Sequence, residues 1–362
     1  MFDFDKETAI VLLNGLTVYR RILKDDAVSA LVSGEFHSFI GLILEKSHAL
    51  GLDGNLVEQY FSHLLLQDEN AFSLACEKGW NIKGTALYKY AVKDIEALSF
   101  FAKIKPDFII ENYKNCGVGD LARFRAFIMN ENGGLDGIKK PDPITFDDII
   151  GIEYQKATLI ENTIAFLAGK PANNVLLAGS RGNGKSSCVK ALLNKYHEDR
   201  LRLIEVRKDQ MRLLPRLIKK LEDRGKYFIV FMDDLSFERS ETDYKYFKSM
   251  LEGGLCAQPD NVLFYATSNR RHIIKESWKD RNSDDELHIN DTINEMISLS
   301  DRFGLTLNFP HINQDEYLEI VNRLAERRGI QIEEADALRW SAEHKRMSGR
   351  TAVQFLRNKM NT

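Results

Sequence analysis

Asn174-Val-Leu-Leu-Ala-Gly179-Ser-Arg-Gly-Asn-Gly-Lys-Ser-Ser-Cys188 is the stretch whose reading decides the fold. Residues 174–178 form a short apolar run of strand length, and Cys188-Val-Lys-Ala-Leu-Leu193 has helical spacing. Between them stands G-x-x-x-x-G-K-S, the pattern of a phosphate-binding loop in its strand–loop–helix setting. Glycines at 179, 182 and 184 let the backbone turn tightly and bring its N–H groups against phosphate oxygens, with the positive end of the following helix adding attraction. Gly179, Ser180, Arg181, Gly182, Asn183, Gly184, Lys185, Ser186 and Ser187 are therefore expected to hold the phosphates of ATP or GTP. Lys185 is expected on the β- and γ-phosphates and the Ser186 hydroxyl on Mg²⁺. A plain glycine turn before a helix is the bland alternative.

Working outward, short β-rich runs at 174–178, 201–206, 227–232, 262–266 and 305–309 alternate with helical stretches. Five such strands predict an α/β fold, a mostly parallel five-stranded sheet with helices on both faces. Upstream, from Lys6 to Met129, apolar residues recur at three- and four-residue spacing, as in Ile10, Leu13, Leu16, Tyr19 and Leu23, and Pro106 is the one proline. This predicts a helical N-terminal domain over 1–130. Turn formers concentrated in Asn130-Glu-Asn-Gly-Gly-Leu-Asp-Gly-Ile-Lys-Lys-Pro-Asp-Pro143 predict a linker over 131–143. A core over 144–310 follows, and Tyr317, Ile320, Val321 and Leu324 make one helical stripe in a small C-terminal lid over 311–362.

The strand Tyr227-Phe-Ile-Val-Phe-Met232 runs into Asp233-Asp234. An acid at such a strand end is suited to hold the metal's water shell, which assigns Asp233 to Mg²⁺ and leaves Asp234 to polarise an attacking water. Glu238 is a substitute for that base, and two helix-capping acids are the alternative. At the end of the next strand, Asn269 is the candidate to bond both water and γ-phosphate, with Thr267 and Ser268 behind it and a simple loop cap as the alternative. Arg302, in Leu299-Ser-Asp-Arg-Phe-Gly304, is placed to project onto a neighbouring subunit's phosphates or to pair with Asp301. Arg350, in Ser348-Gly-Arg-Thr351, opens a lid helix and is a candidate γ-phosphate contact, a surface arginine being the other reading.

Composition narrows the class further. With 362 residues, 44% hydrophobic and 28% charged, the chain has the size of two or three soluble domains. Residues 1–140 carry 16 basic and 19 acidic side chains and the remainder 34 of each sign, so no basic field marks a nucleic-acid binder. No apolar run approaches the roughly 18 residues of a membrane span, and the acidic N-terminus is unlike a secretory signal. The four scattered cysteines, Cys76, Cys116, Cys188 and Cys256, have no C-x-x-C spacing, which argues against a metal site or disulfides and for a reduced, cytoplasmic setting.

Taken together, the motifs resemble those of the AAA+ ATPase superfamily over about residues 144–355. More closely, Phe146-Asp-Asp-Ile-Ile-Gly151, Pro171-Ala-Asn-Asn-Val-Leu-Leu177, Asp233-Asp-Leu-Ser-Phe-Glu238 and Ala266-Thr-Ser-Asn-Arg-Arg-His272 look like the bacterial DUF815 group. The resemblance implies a Walker A loop at Gly179–Ser186, Walker B acids at Asp233 and Asp234, sensor residues at Asn269 and Arg350, and an arginine finger at Arg302. It also implies an adenine pocket at Ile149, Ile150 and Gly151, hence ATP with Mg²⁺ rather than GTP. A homo-oligomer, ring or hexamer, in which Arg302 acts in trans is implied as well, with a macromolecular client to be remodelled or loaded. A slow ATP-dependent switch that regulates a partner is the alternative, because Asp234 stands where the longer Glu is commoner. The charged stretch Lys279–Asp291 reads as a solvated loop or a partner contact.

Overall fold

The computed structural model describes residues 4–235, 251, 258–269 and 302–360. The chain divides into two compact units, one of Met1–Phe124 with Arg224–Lys226 and one of Arg125–Asp223 with Tyr227–Thr362.

The first unit is helical: α1 (Lys6–Asn14), α2 (Asp26–Val32), α3 (Phe36–Leu50), α4 (Leu56–Gln67), α5 (Ala71–Glu77), α6 (Ala86–Ala102), α7 (Pro106–Cys116) and α8 (Asp120–Arg123). Local chemistry sets the boundaries. Asp5 and Thr85 accept backbone N–H groups at the starts of α1 and α6, and Pro106, which has no N–H to lose, occupies the first turn of α7. The apolar stripes meet in one core in which Phe61 and Phe101 stack at 4.2 Å. In α6, Ala91, Ile95, Leu98 and Phe101 are buried and only Tyr90 and Phe100 of the aromatics face solvent extensively, so this helix is mainly a core element. The buried Asp94 carboxylate accepts the N–H groups of Thr17, Val18 and Tyr19, which fixes the turn after α1. Glu77, fully buried, accepts from the Arg224 guanidinium at 2.9 Å and from the Gly225 and Val118 N–H groups. Burial alone would raise its pKa, but these donors hold it below the ordinary carboxylate value.

The second unit is built on a seven-stranded sheet in the order β2-β1-β4-β5-β6-β3-β7. Its strands are β1 (Ala126–Met129), β2 (Leu135–Gly137), β3 (Val175–Gly179), β4 (Leu201–Glu205), β5 (Tyr227–Met232), β6 (Val262–Ser268) and β7 (Leu305–Phe309). Only the β1–β2 pair is antiparallel. The expectation of five strands is thus corrected to seven: five coincide with the expected runs, and two more extend one edge. Both extra strands lie where the sequence suggested the end of a helical domain and a linker. Asn130 folds the intervening residues into a hairpin turn, its side-chain oxygen accepting the Asn132 and Gly134 N–H groups. The turn formers of 130–134 therefore connect two strands, and the N-terminal stretch of the first unit runs to Phe124.

Val175, Leu177, Ile229, Phe231, Leu263 and Tyr265 pack in one cluster with Leu159 of α9 (Glu153–Leu167) and Cys188 and Leu192 of α10 (Lys185–Tyr196). The alternating residues Leu176, Phe228, Val230 and Phe264 are equally buried, as strands covered on both faces require. α11 (Leu214–Glu222) precedes β5 in the chain. The C-terminal helices α12 (Gln314–Arg327), α13 (Glu334–Glu343) and α14 (Gly349–Met360) form a small bundle around Tyr317, Ile320, Val321, Leu324 and Phe355. Among the described residues no helix is long and apolar enough to cross a membrane.

Candidate functional site

The carboxyl ends of β5, β6, β3 and β7, adjacent in the sheet, converge on one place. β3 passes into the loop 180–184, and Gly184, with φ +90°, turns the chain into α10. No side chain caps that helix, so its first N–H groups face the loop, an arrangement suited to anions. Gly182, at φ +82°, is equally left-handed, and a Cβ there would lie 2.9 Å from Ser348 Oγ.

Lys185 is 5% exposed, and its Nζ donates to the Gly179 carbonyl at 2.9 Å, the Ser180 carbonyl at 2.8 Å and Asn269 Oδ1 at 3.0 Å. Burial lowers its pKa to about 8, against the opposing attraction of Asp233 and Asp234. The ammonium is thus held by weak neutral acceptors in a site that disfavours its charge, and a phosphate would reverse that imbalance.

Asp233 and Asp234 follow β5, and Thr267 orders both. The buried Thr267 hydroxyl donates to Asp233 Oδ1 at 2.6 Å and accepts the Asp234 N–H at 2.8 Å, while its carbonyl takes the Leu235 N–H. Ser186 Oγ donates to the same Asp233 oxygen at 2.6 Å. Asp234 sits at φ +56°, a left-handed conformation that Asp tolerates better than most residues and that is concentrated at functional sites. Its Oδ1 accepts from Asn269 Nδ2 and its Oδ2 from Arg181 Nη2 at 3.1 Å. Asn269 therefore bridges Lys185 and Asp234, which orients its amide.

These groups line a cavity of about 640 Å³, in the size range of small-molecule sites. Ile149, Ile150 and Gly151 line it too, as do Arg181 to Ser187, Asp233, Asp234, Asn269 and Arg350. The lid joins through α14: Ser348 caps the helix at the Thr351 N–H, and the Arg350 N–H donates to the Gly182 carbonyl at 3.2 Å. Gly179 and Ser180 are not among the lining residues. Ser180 instead places its hydroxyl 2.8 Å from His311 Nδ1, and the Asn183 amide donates to the Pro310 carbonyl. Arg302 is exposed and is likewise not among the lining residues. Glu238, Arg270 to His272, Lys279–Asp291 and Asp301 lie outside the described residues.

Several contributors were missed in the sequence. Val353, Gln354 and Arg357 line the cavity one and two turns beyond Arg350, a spacing that helical periodicity from Arg350 would have revealed. His311 gave no local signal. Thr267 stood only as an understudy to Asn269, although it ties both acids to β6. Among the described residues, no cluster of three or more His, Cys, Asp or Glu side chains could hold a metal by itself.

The family profile of DUF815, described as a protein of unknown function, matches residues 122–362. No curated protein matches the chain. Among solved structures, the RuvB Holliday junction branch migration motor of Thermotoga maritima matches at 18% identity, over 59% of this chain and 72% of that one, with a TM-score of 0.35. A mutant of that RuvB matches at 21% identity, over 59% and 63%, with a TM-score of 0.38. Likeness at this level is a distant resemblance and conveys neither activity nor partner. The match to the family profile spans most of the chain, including every residue that lines the cavity, and the protein belongs to the DUF815 family.

Proposed function

We propose that this protein is an AAA+ type ATPase that binds Mg²⁺·ATP and hydrolyses it to remodel or load a macromolecular client. The observation that carries the reading is the convergence of Lys185, Ser186, Asp233, Asp234 and Asn269 at one cavity beside a glycine loop and an uncapped helix start. Ile149 and Ile150 supply an apolar wall suited to adenine, and Lys185 and the loop N–H groups suit the phosphates.

The donor set fits magnesium. Ser186 Oγ and Asp233 Oδ1 are hard oxygens 2.6 Å apart, and two such ligands suit an ion that keeps waters and shares phosphate oxygens. Bound there, Mg²⁺ would neutralise charge on the β- and γ-phosphates. In hydrolysis, a water oxygen forms a bond to the γ-phosphorus as the bond to the bridging oxygen breaks, and ADP leaves with the electron pair. Asp234 accepts the water's proton, Asn269 orients the water or the γ-phosphate, and Lys185 and Arg350 balance the spreading negative charge.

Phosphate release from Mg²⁺·ATP tests this reading. Turnover is expected in the natural sequence and a loss of about 10²-fold or more in Asp234→Asn with ATP binding retained, whereas Lys185→Ala should lose binding. Equal turnover in all three would refute it. Asp234 is shorter than Glu and both its oxygens are engaged, which favours slow hydrolysis and keeps a second reading, an ATP-dependent switch that regulates a partner. Tight ATP binding with no measurable release would select the switch.

A further inference from the structure

The ATPase reading gives Asp234 a task that its present contacts oppose. A general base needs an oxygen turned to the water, yet Oδ1 is taken by Asn269 and Oδ2 by Arg181. Asp234 itself has little freedom to turn away. Its N–H is tied to Thr267, and its backbone is already in the left-handed region. Asn269 is likewise fixed, because its own oxygen accepts from Lys185. Arg181 is the partner able to leave. It stands on the phosphate loop, its side chain is 61% exposed, and it lines the cavity.

We propose that Arg181 is a nucleotide-responsive clamp: it holds Asp234 at rest and transfers to the γ-phosphate of ATP, releasing the carboxylate to meet water. The physical basis is competition for one guanidinium. A carboxylate offers a single negative charge, whereas a terminal phosphate offers up to two and three acceptor oxygens matched to the guanidinium fork. The resting pair is half exposed on both sides, so it is weak and exchanges readily. ADP has no γ-phosphate and leaves the clamp closed. Arg181 is therefore a positioning residue for Asp234 and a determinant of ATP over ADP. Linkage makes the coupling reciprocal: whatever the pair contributes at rest is subtracted from ATP affinity and not from ADP affinity.

Calorimetric titration with ADP and with a non-hydrolysable ATP analogue tests the clamp in the natural sequence, Lys185→Ala, Arg181→Ala, Arg181→Lys, Asp234→Asn and the double variant Arg181→Ala/Asp234→Asn. Asp234→Asn frees Arg181 and should tighten the analogue by up to about fivefold more than it tightens ADP. Arg181→Ala should weaken the analogue by about tenfold or more relative to ADP, Arg181→Lys should recover part of that preference, and the gain from Asp234→Asn should vanish in the double variant. If Arg181→Ala weakens both nucleotides equally, or the gain survives in the double variant, the clamp is wrong. Loss of binding in Lys185→Ala beside either result leaves the ATPase reading standing and removes only the clamp. If the natural sequence binds neither nucleotide, both fall.

Discussion

Lys185 shows how one side chain can record the state of the site. Burial is the main cause of its lowered pKa of about 8, and Arg181 and Arg346 add to it. Near pH 8 the nucleotide-free protein therefore holds this amine about half protonated. A polyphosphate favours the ammonium, so binding should draw in up to about half a proton at pH 8, less at pH 7 where the amine is already charged. Binding heats compared across buffers of different ionisation enthalpy measure this uptake, and proton release at pH 8 would contradict it. The sign for folding runs the same way: a lysine whose pKa is lowered by folding costs stability below pH 8, and that cost fades as pH rises from 8 towards 10.5. That Lys185, Ser186 and Asp233 meet at one cavity was legible from residue type and spacing. That Asp234 faces Arg181 was not, because the two are 53 positions apart and each has other plausible partners.

Among the elements, the seam between β3 and β7 sets the strictest limit. Gly179 pairs with Phe309 at its end, at φ +143°, and a Cβ there would fall 2.2 Å from the Phe309 carbonyl oxygen. Backbone cannot rotate aside as a side chain can. Gly179→Ala should therefore destabilise the nucleotide-free protein by about 1–3 kcal/mol through forced separation of the strands. Gly182→Ala, strained at φ +82°, meets the Ser348 side chain rather than backbone and should cost less. Thermal unfolding of both variants without nucleotide checks the order, and an equal loss would show that strand spacing is not what Gly179 protects. The motif pattern demands glycine at 179 for a phosphate, and the sheet demands it for a neighbouring strand. Strands β1 and β2 escaped the sequence reading for a different reason: four and three residues are too few to display a period of two.

At the scale of the whole molecule, the position of Arg302 bears on whether one chain completes the site. Arg302 is exposed and outside the lining of the cavity, which suits a proposed role on the phosphates of a neighbouring copy. Mixing two inactive variants tests this. Asp234→Asn chains supply Arg302 but no base, and Arg302→Ala chains supply the base but no finger. If the finger acts in trans within mixed oligomers, an equal mixture should recover about a quarter of the natural turnover, because that fraction of random interfaces joins an intact base to an intact arginine. A mixture no more active than its components would exclude action of Arg302 in trans.

The sequence by itself determined the elements whose cause is local. A glycine loop between strand and helix, five apolar runs of strand length and the stripes of the N-terminal and lid helices each carry their reason within a few neighbouring residues. Tertiary structure alone decided what depends on distant partners: the hairpin added at the sheet edge, Thr267 binding both acids, α14 bringing Arg350, Gln354 and Arg357 to the cavity, and Arg181 closing on Asp234. Periodicity and spacing report which face of an element is buried. They do not report which of many compatible charges and hydroxyls the fold will set within hydrogen-bond reach, because that choice follows from packing across the sheet.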